Sequence, residues 1–331
     1  MVDALVTGAT GFIGRHLVRE LLARGQTVRC LVRKSSDVNV LPRESVQLHT
    51  GDVVEPHTLE GAADGVAVVY HLAALGHVGA VTDEAYRRFV EVNVTGTRHL
   101  IEECLRASIR KFLHASSTAA MGLIPSETVD ESTEPRPVTP YQRSKLQGER
   151  EVLRYWQQRQ FPAVIARPSM VYGPEGEGSE FLRVARLVRR RRFPIFGRGR
   201  KLTPGVYVSD LVAGLILAAE KGRAGEVYIL TGRESFEFDR MLDLIARNLG
   251  VRRPGPHLPM WFGFAAGWCF EMLSKLTRAT PAMTRQNLRS LTADRVFSID
   301  KARRELGYEP LVPLAEGVER TVTWAQEHGL L

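Results

Sequence analysis

Tyr141 and Lys145 are the two residues of this sequence whose types and spacing most directly suggest chemistry. They lie four residues apart in a segment (141–160) with helical periodicity, so they share one face of a helix. We expect the Lys145 ammonium to favour the phenolate and to lower the pKa of Tyr141 from its usual value of about 10. Tyr141 would then exchange a proton near neutral pH. A serine hydroxyl at the end of the preceding strand would hold the reacting oxygen.

A glycine-rich turn near the start of the chain indicates a phosphate site. The apolar run 2–7 predicts a buried strand, and Gly8-Ala9-Thr10-Gly11-Phe12-Ile13-Gly14 follows it directly. Apolar residues then recur at helical spacing as far as Gly25, so the glycines open a helix. Its free N–H groups and the positive end of its dipole suit a pyrophosphate. The residues expected to contact a dinucleotide here are Gly8, Thr10, Gly11, Phe12, Ile13 and Gly14.

Further apolar runs predict the strands that carry these residues. The runs cover 27–32, 46–49, 66–70, 111–115 and 163–166, and long helical patterns cover 83–107 and 141–160. Strands that alternate with helices indicate a parallel sheet covered on both faces. We therefore predict an α/β fold with a Rossmann-type, doubly wound parallel sheet.

The end of the second predicted strand distinguishes NAD from NADP. In a dinucleotide-binding fold this position faces the adenine ribose, where an acidic residue accepts hydrogen bonds from the 2′-OH of NAD. Here Val32 is followed by Arg33 and Lys34, which offer two positive charges to a 2′-phosphate. The sequence therefore predicts NADP as the cofactor rather than NAD.

Together with the glycine turn and the Tyr-x-x-x-Lys pair, two further motifs carry a resemblance to a known family. They are Asn93-Val94-Thr95-Gly96-Thr97 and Arg167-Pro168-Ser169-Met170-Val171-Tyr172-Gly173-Pro174. The whole chain resembles the extended short-chain dehydrogenases/reductases (the NAD-dependent epimerase/dehydratase family), especially the 3β-hydroxysteroid dehydrogenase and dihydroflavonol reductase-like members. The resemblance implies a Rossmann domain at 1–173 and a smaller C-terminal substrate-binding lobe at 174–331, of which about 203–232 interleaves back into the core.

The resemblance also implies a role for each candidate residue. Tyr141 would exchange the proton, Ser117 would orient the substrate oxygen, and Lys145 would hold the cofactor ribose. Asn93 would support a proton-relay water, and its cluster of poor helix formers predicts a local distortion of the helix. The further cofactor contacts that the resemblance implies are Asp52 and Val53 at the adenine, and Leu72, Ala73, Ala74, Pro168, Ser169 and Val171.

Departures from the sugar-nucleotide members of the family bear on the substrate. Met170 stands where those members carry Asn, and the segment 204–206 stands where they carry an Arg that grips a diphosphate. Thr118 and Ala119 stand where 4,6-dehydratases carry an Asp-Glu pair. Since each departure removes a group that a sugar nucleotide needs, we expect an apolar, sterol-like or flavonoid-like alcohol or ketone.

The strongly apolar segment 258–270 supports the same expectation. It is too short to span a bilayer and is followed by Glu271. Similar segments occur in the 3β-hydroxysteroid dehydrogenase and dihydroflavonol reductase-like members. A core or dimer helix, a lid over an apolar substrate and an interfacial helix all remain open, and we favour a lid or packing role over membrane binding.

Composition limits the remaining classes. With 44% hydrophobic and 25% charged residues, the 331-residue chain can form a large folded core. The net charge of +8 comes without a nucleic-acid-binding motif, so we expect no nucleic-acid partner. The three cysteines have no paired spacing, which predicts neither disulfides nor a metal site. The first predicted strand begins at residue 2 and leaves no room for a signal peptide, so we expect a cytoplasmic protein.

These observations predict an NAD(P)-dependent oxidoreductase that moves a hydride between nicotinamide and a carbonyl or alcohol of an apolar small molecule. The resemblance further implies a homodimer in which the helices at 83–107 and 141–160 form a four-helix bundle. Two alternatives remain, a nucleotide-sugar epimerase of the same family and a non-catalytic NADP-binding regulator. Regulators of this fold typically lose the tyrosine or the lysine, whereas this sequence retains both.

Overall fold

A seven-stranded parallel sheet lies at the centre of the protein. The computed structural model describes residues 2–76, 83–122, 124, 128–191, 195–196, 201–252, 257–277 and 295–331. The sheet order is β3-β2-β1-β4-β5-β6-β11, which is the predicted doubly wound arrangement. Its strands are β1 (Val2–Thr7), β2 (Val28–Val32), β3 (Val46–Thr50), β4 (Val66–His71), β5 (Lys111–Ala115), β6 (Ala163–Pro168) and β11 (Val227–Leu230). The sequence missed β11 as a separate strand and placed the other strand ends within two residues.

Helices cover both faces of this sheet. On one face, Leu17 and Leu21 of α1 (Phe12–Ala23) and Leu215 of α6 (Val208–Lys221) pack in one buried cluster. On the other face, α3 (Thr97–Ala107) and α4 (Pro140–Arg159) contribute Leu100 and Val152 to a second buried cluster. Each cluster is built from the apolar stripe of amphipathic helices on strands that are apolar on both sides. The layers are those predicted from the sequence.

The long helical pattern at 83–107 is interrupted where the motif of poor helix formers lies. Helix α2 (Asp83–Val90) passes into a π-helical turn (Glu91–Gly96), and α3 follows. A π-helical turn inside a helix frequently marks a functional site because it redirects the side chains and carbonyls of one turn. The predicted distortion around Asn93 is confirmed.

A third buried cluster is formed mainly by residues after Gly173. It joins β7 (Met170–Tyr172), α5 (Glu180–Arg189), α7 (Phe238–Asn248) and α10 (Leu314–Glu327). Short two-stranded sheets complete this part, formed by β7 with β10 (Gly205–Tyr207), β9 (Leu202–Thr203) with β12 (Phe236–Glu237), and β8 (Ile195–Phe196) with β13 (His257–Leu258).

Two later segments return to the central sheet. Strand β11 pairs with β6, and α6 packs against the sheet. The segment around α9 (Asp300–Leu306) also packs there, since Ala302 and Leu306 belong to the same cluster as α1 and the Tyr308 hydroxyl donates to the Thr231 carbonyl at 3.0 Å. No single position in the sequence therefore separates the residues that pack on the central sheet from those of the third buried cluster.

The apolar segment at 258–270 lies largely in helix α8 (Met260–Thr277). Trp261, Phe262, Trp268, Phe270 and Met272 on this helix are exposed. Among the helices that the structure describes, none has both the length and the hydrophobicity needed to cross a bilayer.

Candidate active site

Tyr141 stands in the first turn of α4, and the local sequence fixes where that helix begins. Thr139 and Gln142 form a capping box, in which each side chain accepts a hydrogen bond from the other residue's backbone N–H. Pro140 occupies the first helical position, where its missing N–H costs nothing. The turn directs Tyr141 toward Ser117, which caps a short 3-10 turn (Thr118–Met121) after β5.

Tyr141 and Ser117 are joined by a side-chain hydrogen bond. Burial raises the pKa of Tyr141 above its usual value, and the hydrogen bond from Ser117 opposes that shift. The expectation that Lys145 lowers this pKa is therefore wrong. Desolvation of the phenol is the larger effect, and burial could not be read from the spacing of the two residues. The ring of Phe89, 5.7 Å from that of Tyr141 between centroids, contributes to this apolar surrounding.

Lys145 is buried one turn further along α4. Its Nζ donates to the carbonyl oxygen of Ala115, the last residue of β5, at 2.9 Å. Burial lowers the pKa of Lys145 to about 8, and the Glu149 carboxylate acts in the opposite direction. Glu149 in turn forms a buried two-point ion pair with Arg167 of β6, at 3.0 and 2.7 Å. The lysine thus lies between the carboxyl end of β5 and the buried Glu149–Arg167 ion pair, which joins α4 to β6.

Asn93 of the π-helical turn holds two parts of the site together. Its amide oxygen accepts from the backbone N–H of Leu75 at 2.8 Å, and its amide nitrogen donates to the Leu75 carbonyl at 3.2 Å. The same nitrogen donates to the Ser144 hydroxyl at 3.0 Å. Ser144 lies between Tyr141 and Lys145 in α4, and its hydroxyl donates to the Tyr141 carbonyl at 2.8 Å. Asn93 therefore connects the loop after β4 to the helix that carries the tyrosine and the lysine.

The side chain of His71 lies in a directed chain of hydrogen bonds. The Thr97 hydroxyl donates to the Asn93 carbonyl at 2.9 Å, so it accepts from Nε2–H of His71 at 3.0 Å. Nδ1 of His71 then accepts from the Thr7 hydroxyl at 2.8 Å, which accepts from the Ala73 N–H at 3.0 Å. These directions assign His71 as neutral and protonated at Nε2. Burial lowers its pKa to about 3, which agrees with a neutral ring.

A second buried histidine lies beside this chain. The rings of His71 and His114 are 5.4 Å apart, and His114 immediately precedes Ala115 in β5. Within the described residues, neither ring nitrogen of His114 has a hydrogen-bond partner. Burial lowers its pKa well below the usual value, and the Lys145 charge acts in the same direction.

The glycine turn has the shape that a pyrophosphate requires. Gly8 adopts φ +67°, and a Cβ there would lie 2.9 Å from the Ala73 nitrogen. A Cβ on Gly14 would collide with the Gly8 carbonyl oxygen. Gly11 caps α1 without a side chain, and the first turn of that helix contains no acidic residue. The close backbone packing of this turn and the helix N-terminus that follows it fit a dinucleotide phosphate.

The residues expected at the adenine end lie at the ends of β2 and β3. Arg33 and Lys34 follow β2 and are exposed. The Asp52 carboxylate accepts from the Val54 N–H at 3.1 Å. Val53 is buried against Gly96, where a Cβ would lie 2.7 Å from its Cγ2, so the glycine of the 93–97 motif permits this contact.

The other expected cofactor contacts lie at the carboxyl ends of β4 and β6. Leu72 donates its N–H to the Thr7 carbonyl at 3.2 Å, and Ala73 to the Thr7 hydroxyl, which holds the 72–74 loop against the glycine turn. Ser169 is buried after Pro168, and its hydroxyl is hydrogen-bonded to that of Thr231 at 2.8 Å. Val171 lies in β7. Phe12, Ile13 and Thr10 remain partly exposed at the start of α1, and Ala74 follows in the loop after β4.

Several residues of this arrangement were missed from the sequence. They are Thr7, Thr97, Ser144, Glu149 and the ring of His114, and Arg167 was recognised only as part of a motif. Thr97 belongs to the recognised 93–97 motif, which is a local signal. Thr7, His71 and Thr97 are separated by 64 and 26 positions, so no spacing rule could have joined them.

The arrangement supplies a partly buried phenol, a hydroxyl beside it and a buried amine at the carboxyl ends of parallel strands. That edge is where ligands bind in open α/β sheets. The phenol and the hydroxyl can exchange a proton with a substrate oxygen, and the amine can hold polar groups of a ligand. Within the described segments, no group of three or more His, Cys, Asp or Glu residues could hold a metal ion.

The sequence is similar to that of known oxidoreductases. Residues 4–230 match the NAD dependent epimerase/dehydratase family. Sterol demethylase protein B of Methylococcus capsulatus is 32% identical over 339 residues, covering 100% of both chains. A farnesyl-dihydroquinoline-oxide ketoreductase of Stigmatella aurantiaca is 32% identical, covering 95% of this chain and 94% of the relative. The mouse sterol-4-alpha-carboxylate 3-dehydrogenase (decarboxylating) is 29% identical, covering 96% of this chain and 89% of the relative.

Solved structures agree with the fold. The crystal structure of gox2253 superposes with a TM-score of 0.87 at 32% identity over 100% of both chains. The dTDP-glucose 4,6-dehydratase DesIV of Streptomyces venezuelae, solved with NAD bound, superposes with a TM-score of 0.81 at 26% identity over 98% of this chain and 97% of that chain. The chain belongs to the NAD dependent epimerase/dehydratase family.

Proposed function

We propose that the protein catalyses hydride transfer between NADP and a carbonyl or alcohol carbon of an apolar, sterol-like or flavonoid-like small molecule. That it is an NAD(P)-dependent oxidoreductase follows from its family and from relatives named as dehydrogenases and reductases. The proposal concerns the cofactor phosphate, the class of substrate and the residues that act. The observation that carries it is the hydrogen bond between Tyr141 and Ser117, one turn from the buried Lys145.

Each candidate residue would have its own role in the reaction. In the direction of reduction, Tyr141 would donate its phenolic proton to the substrate oxygen, and the Ser117 hydroxyl would hold that oxygen. Lys145 would hold the cofactor ribose, and the Ser117 hydrogen bond would favour the phenolate left behind. Asn93 would hold the loop after β4 against helix α4, and its carbonyl would accept a hydrogen bond from a relay water. When bound, the cofactor supplies or accepts the hydride.

Two cations support NADP over NAD. Arg33 and Lys34 lie exposed directly after β2, at the position that faces the adenine ribose in this fold. The carboxylate of Asp37, a few residues further on, accepts from the Asn39 N–H and caps a short turn. A 2′-phosphate at this edge would meet two positive charges. The proposed preference for NADP rests on these charges.

The apolar packing around Met170 supports an apolar substrate. Met170 of β7 pairs with Gly205 of β10, and a Cβ on Gly205 would lie 2.9 Å from the Phe236 ring and 3.5 Å from the Met170 methyl. Sugar-nucleotide members carry an amide and a guanidinium at the corresponding places. Here methyl, ring and glycine surfaces meet instead, which suits a hydrocarbon skeleton rather than a sugar diphosphate.

We also propose a cytoplasmic homodimer with the lobe after Gly173 as its substrate-binding part. Helices α3 and α4 lie side by side, and Arg98 of α3 bonds Glu151 of α4 at 2.5 Å, with Arg154 on the same carboxylate. A two-fold axis along these helices would form a four-helix bundle. Sedimentation velocity of the purified protein measures the dimer directly.

The reaction is tested by following NADPH oxidation with a panel of apolar ketones, including a 3-ketosteroid and a dihydroflavonol, and the reverse reaction with the matching alcohols. We expect Tyr141→Phe to lower kcat at least about a hundredfold while NADPH still binds. Tyr86→Phe is the matched control, because the Tyr86 hydroxyl is hydrogen-bonded to the Gln147 side chain. It should retain wild-type turnover.

The same assay separates the alternatives. Turnover of UDP-glucose to UDP-galactose without turnover of any ketone or alcohol would overturn the apolar-substrate proposal in favour of a nucleotide-sugar epimerase. A protein that binds NADPH and turns over neither class would instead be a non-catalytic regulator.

A further inference from the structure

The segment that follows β7 lies against helix α1. We call residues 174–179 the strap, which leads from β7 to the start of α5. Its middle packs on the first turn of α1, since a Cβ on Gly176 would lie 3.2 Å from the Phe12 ring. Its end is fixed at α5, because the Ser179 hydroxyl accepts from the Leu182 N–H at 3.2 Å and the Ser179 N–H donates to the Gly176 carbonyl at 2.9 Å. The strap therefore connects the third buried cluster to the helix that follows the glycine turn.

Ion pairs hold the strap on α1. Two nitrogens of the Arg15 guanidinium donate to the two carboxylate oxygens of Glu177, at 3.3 and 3.0 Å. Arg15 also lies 3.6 Å from the Glu175 carboxylate, which accepts a hydrogen bond from Arg19 one turn further along α1. Two guanidiniums thus meet two carboxylates between α1 and the strap, and one of the pairs has the two-point geometry of a strong charge-assisted contact.

A backbone contact and partial burial strengthen this arrangement. His16 donates from Nε2 to the Pro174 carbonyl at 3.1 Å. The side chains of Arg15 and Glu175 are only 13% and 24% exposed, so salt screens their contact less than that of fully exposed charges. Burial acts to raise the pKa of Glu175, but the hydrogen bond and the charge of Arg19 outweigh it and hold that pKa below its usual value. Glu175 is therefore a charged partner of α1.

The backbone of Glu175 shows that these contacts shape the strap. Its φ is +63°, in the left-handed region where residues with a Cβ are uncommon. A residue stays in such a conformation when the surrounding structure imposes it. Here the surrounding structure is the pair of arginines on α1 and the packing of Gly176 on Phe12. The strap is thus held in place by α1 and not by a turn preference of its own sequence.

The course of the strap relates it to the cofactor. Helix α1 begins at Phe12, directly after the glycine turn where the dinucleotide phosphates are expected. Val171 of β7, another expected cofactor contact, lies three residues before the strap. The strap therefore runs between two parts of the protein that are expected to contact the dinucleotide, and it lies beside the phosphate site.

We propose that the strap is a clasp that retains the dinucleotide, closed by the ion pairs of Glu175 and Glu177 with Arg15 and Arg19. While the ion pairs are formed, the strap stays on the first turn of α1 and the dinucleotide leaves slowly. When they open, the strap separates from α1 and the dinucleotide dissociates. The proposal depends on dinucleotide binding alone, and it holds for any substrate and for either NADP or NAD.

The test measures the dissociation rate constants of NADPH and NADH from the purified full chain, by stopped-flow displacement. Arg19→Gln and Glu175→Gln each break the same ion pair, but they change the net charge in opposite directions. Both should raise the rate constant about threefold, as expected for a partly exposed ion pair. A general attraction between the protein and the anionic cofactor would instead shift the two variants in opposite directions.

Two further variants make this comparison specific. Arg19→Glu/Glu175→Arg exchanges the two charges and should return the rate constant toward the wild-type value. Glu20→Gln is the matched control, because it removes an ion pair from the same helix, with Arg24 at 2.8 Å, that does not involve the strap. It should dissociate at the wild-type rate.

A second measurement needs no cofactor. Hydrogen exchange of the free protein, followed by mass spectrometry, reports the opening of the strap amides. The peptide that contains residues 174–179 should exchange faster in Arg19→Gln and Glu175→Gln than in the wild type and in Glu20→Gln. Exchange of this peptide in the wild type should also become faster as salt is raised, because salt weakens the ion pairs. Glu175→Gln/Glu177→Gln should lose most of this salt dependence.

Three results would overturn the proposal. One is a wild-type dissociation rate constant in both single variants, and faster exchange of the strap in those variants would then make the ion pairs a structural link only. Another is a pair of opposite changes in the two single variants. The third is a folded chain that binds neither NADPH nor NADH, which would overturn the proposed reaction as well. Loss of ketone turnover with unchanged dissociation rates would concern the proposed reaction alone.

Discussion

Nε2 of His71 and the hydroxyl of Thr97 lie 3.0 Å apart, at the centre of a chain of hydrogen bonds that runs from the Ala73 N–H to the Asn93 carbonyl. One end of the chain lies against the glycine turn, and the other end is the π-helical turn that carries Asn93. His71 and Thr97 touch neither Tyr141 nor Lys145 in this chain. They hold the 72–74 loop and the Asn93 carbonyl in one arrangement.

The first prediction concerns Thr97→Val, which keeps the shape of the side chain and removes its hydroxyl. His71 would lose its acceptor and the Asn93 carbonyl its donor in a buried region, so we expect a loss of about 1–3 kcal/mol in the free energy of unfolding. NADPH affinity and kcat should fall together, because the chain joins the cofactor loop to the relay. Thr97→Ser retains the hydroxyl and should recover both. Urea titration, fluorescence titration and steady-state kinetics give the three values, and equal losses in the serine and valine variants would contradict the role of the hydroxyl.

The second prediction concerns the exposed pair after β2. The Arg33→Ser/Lys34→Ser variant should raise the Kd for NADPH at least about tenfold, since a charge-assisted hydrogen bond to a phosphate contributes about 1.5–3 kcal/mol. The Kd for NADH should hardly change, because NADH has no 2′-phosphate. Arg43→Ser, which removes an exposed arginine from the turn before β3, is the control. If the ratio of the two Kd values is the same in the double variant as in the wild type, the prediction that these two cations select NADP over NAD is wrong.

The third prediction concerns the contact between α4 and the π-helical turn. A Cβ at Gly148 would lie 2.6 Å from the Asn93 carbonyl oxygen, closer than real Cβ atoms come to backbone. Gly148→Ala should therefore push α4 away from Asn93 and lower kcat more than about tenfold, with a loss of about 1–3 kcal/mol in stability from overpacking. Gly178→Ala is the matched control, since nothing lies within 4 Å of a Cβ there and its φ is not positive. A Gly148→Ala enzyme with wild-type kinetics would show that this contact does not position Asn93.

The sequence was informative where the signal was local. Periodicity located the strands of the first half, and the spacing of four placed Tyr141 and Lys145 on one helix face, because both signals arise from neighbours in the chain. The run of poor helix formers after Val92 located the π-helical turn for the same reason. The resemblance supplied Ser117, and the structure joins Ser117 to Tyr141.

The failures share a different cause, which is burial in three dimensions. The pKa of Tyr141 is raised because the phenol is desolvated by residues from distant segments. The outward direction of Trp261 depends on which side of α8 meets the rest of the protein. The partners of His71 come from β1 and α3, which only the completed sheet brings together.

The fourth prediction concerns pH and Lys145. Its pKa in the folded protein is about 8, below its usual 10.5, so the ammonium loses its proton as pH rises through about 8. If the charged amine holds the cofactor, the Kd for NADPH should increase between pH 7 and 9.5. Lys145→Arg keeps the positive charge throughout this range. The Kd of this variant for NADPH should therefore not change with pH, even if the variant binds NADPH more weakly than the wild type. Between about pH 8 and pH 10.5 Lys145 is protonated in the unfolded chain but not in the folded protein. Over this range Lys145 therefore makes the folded protein more stable as pH rises. A wild-type Kd that is flat across this range would contradict the role given to the ammonium.

The fifth prediction concerns acid stability and the unpartnered ring of His114. Burial holds its pKa well below the usual 6.5, so the folded protein keeps the ring neutral while the unfolded chain takes up a proton as pH falls below 6.5. The free energy of unfolding should therefore fall with pH, by up to about 1.4 kcal/mol per pH unit for each such histidine. His114→Leu should make that decline shallower by about one proton and cost little at pH 7.5, because the ring makes no hydrogen bond within the described residues. Urea titrations between pH 5 and 7.5 measure the slopes, and identical slopes for wild type and His114→Leu would mean that His114 is not buried as a neutral ring.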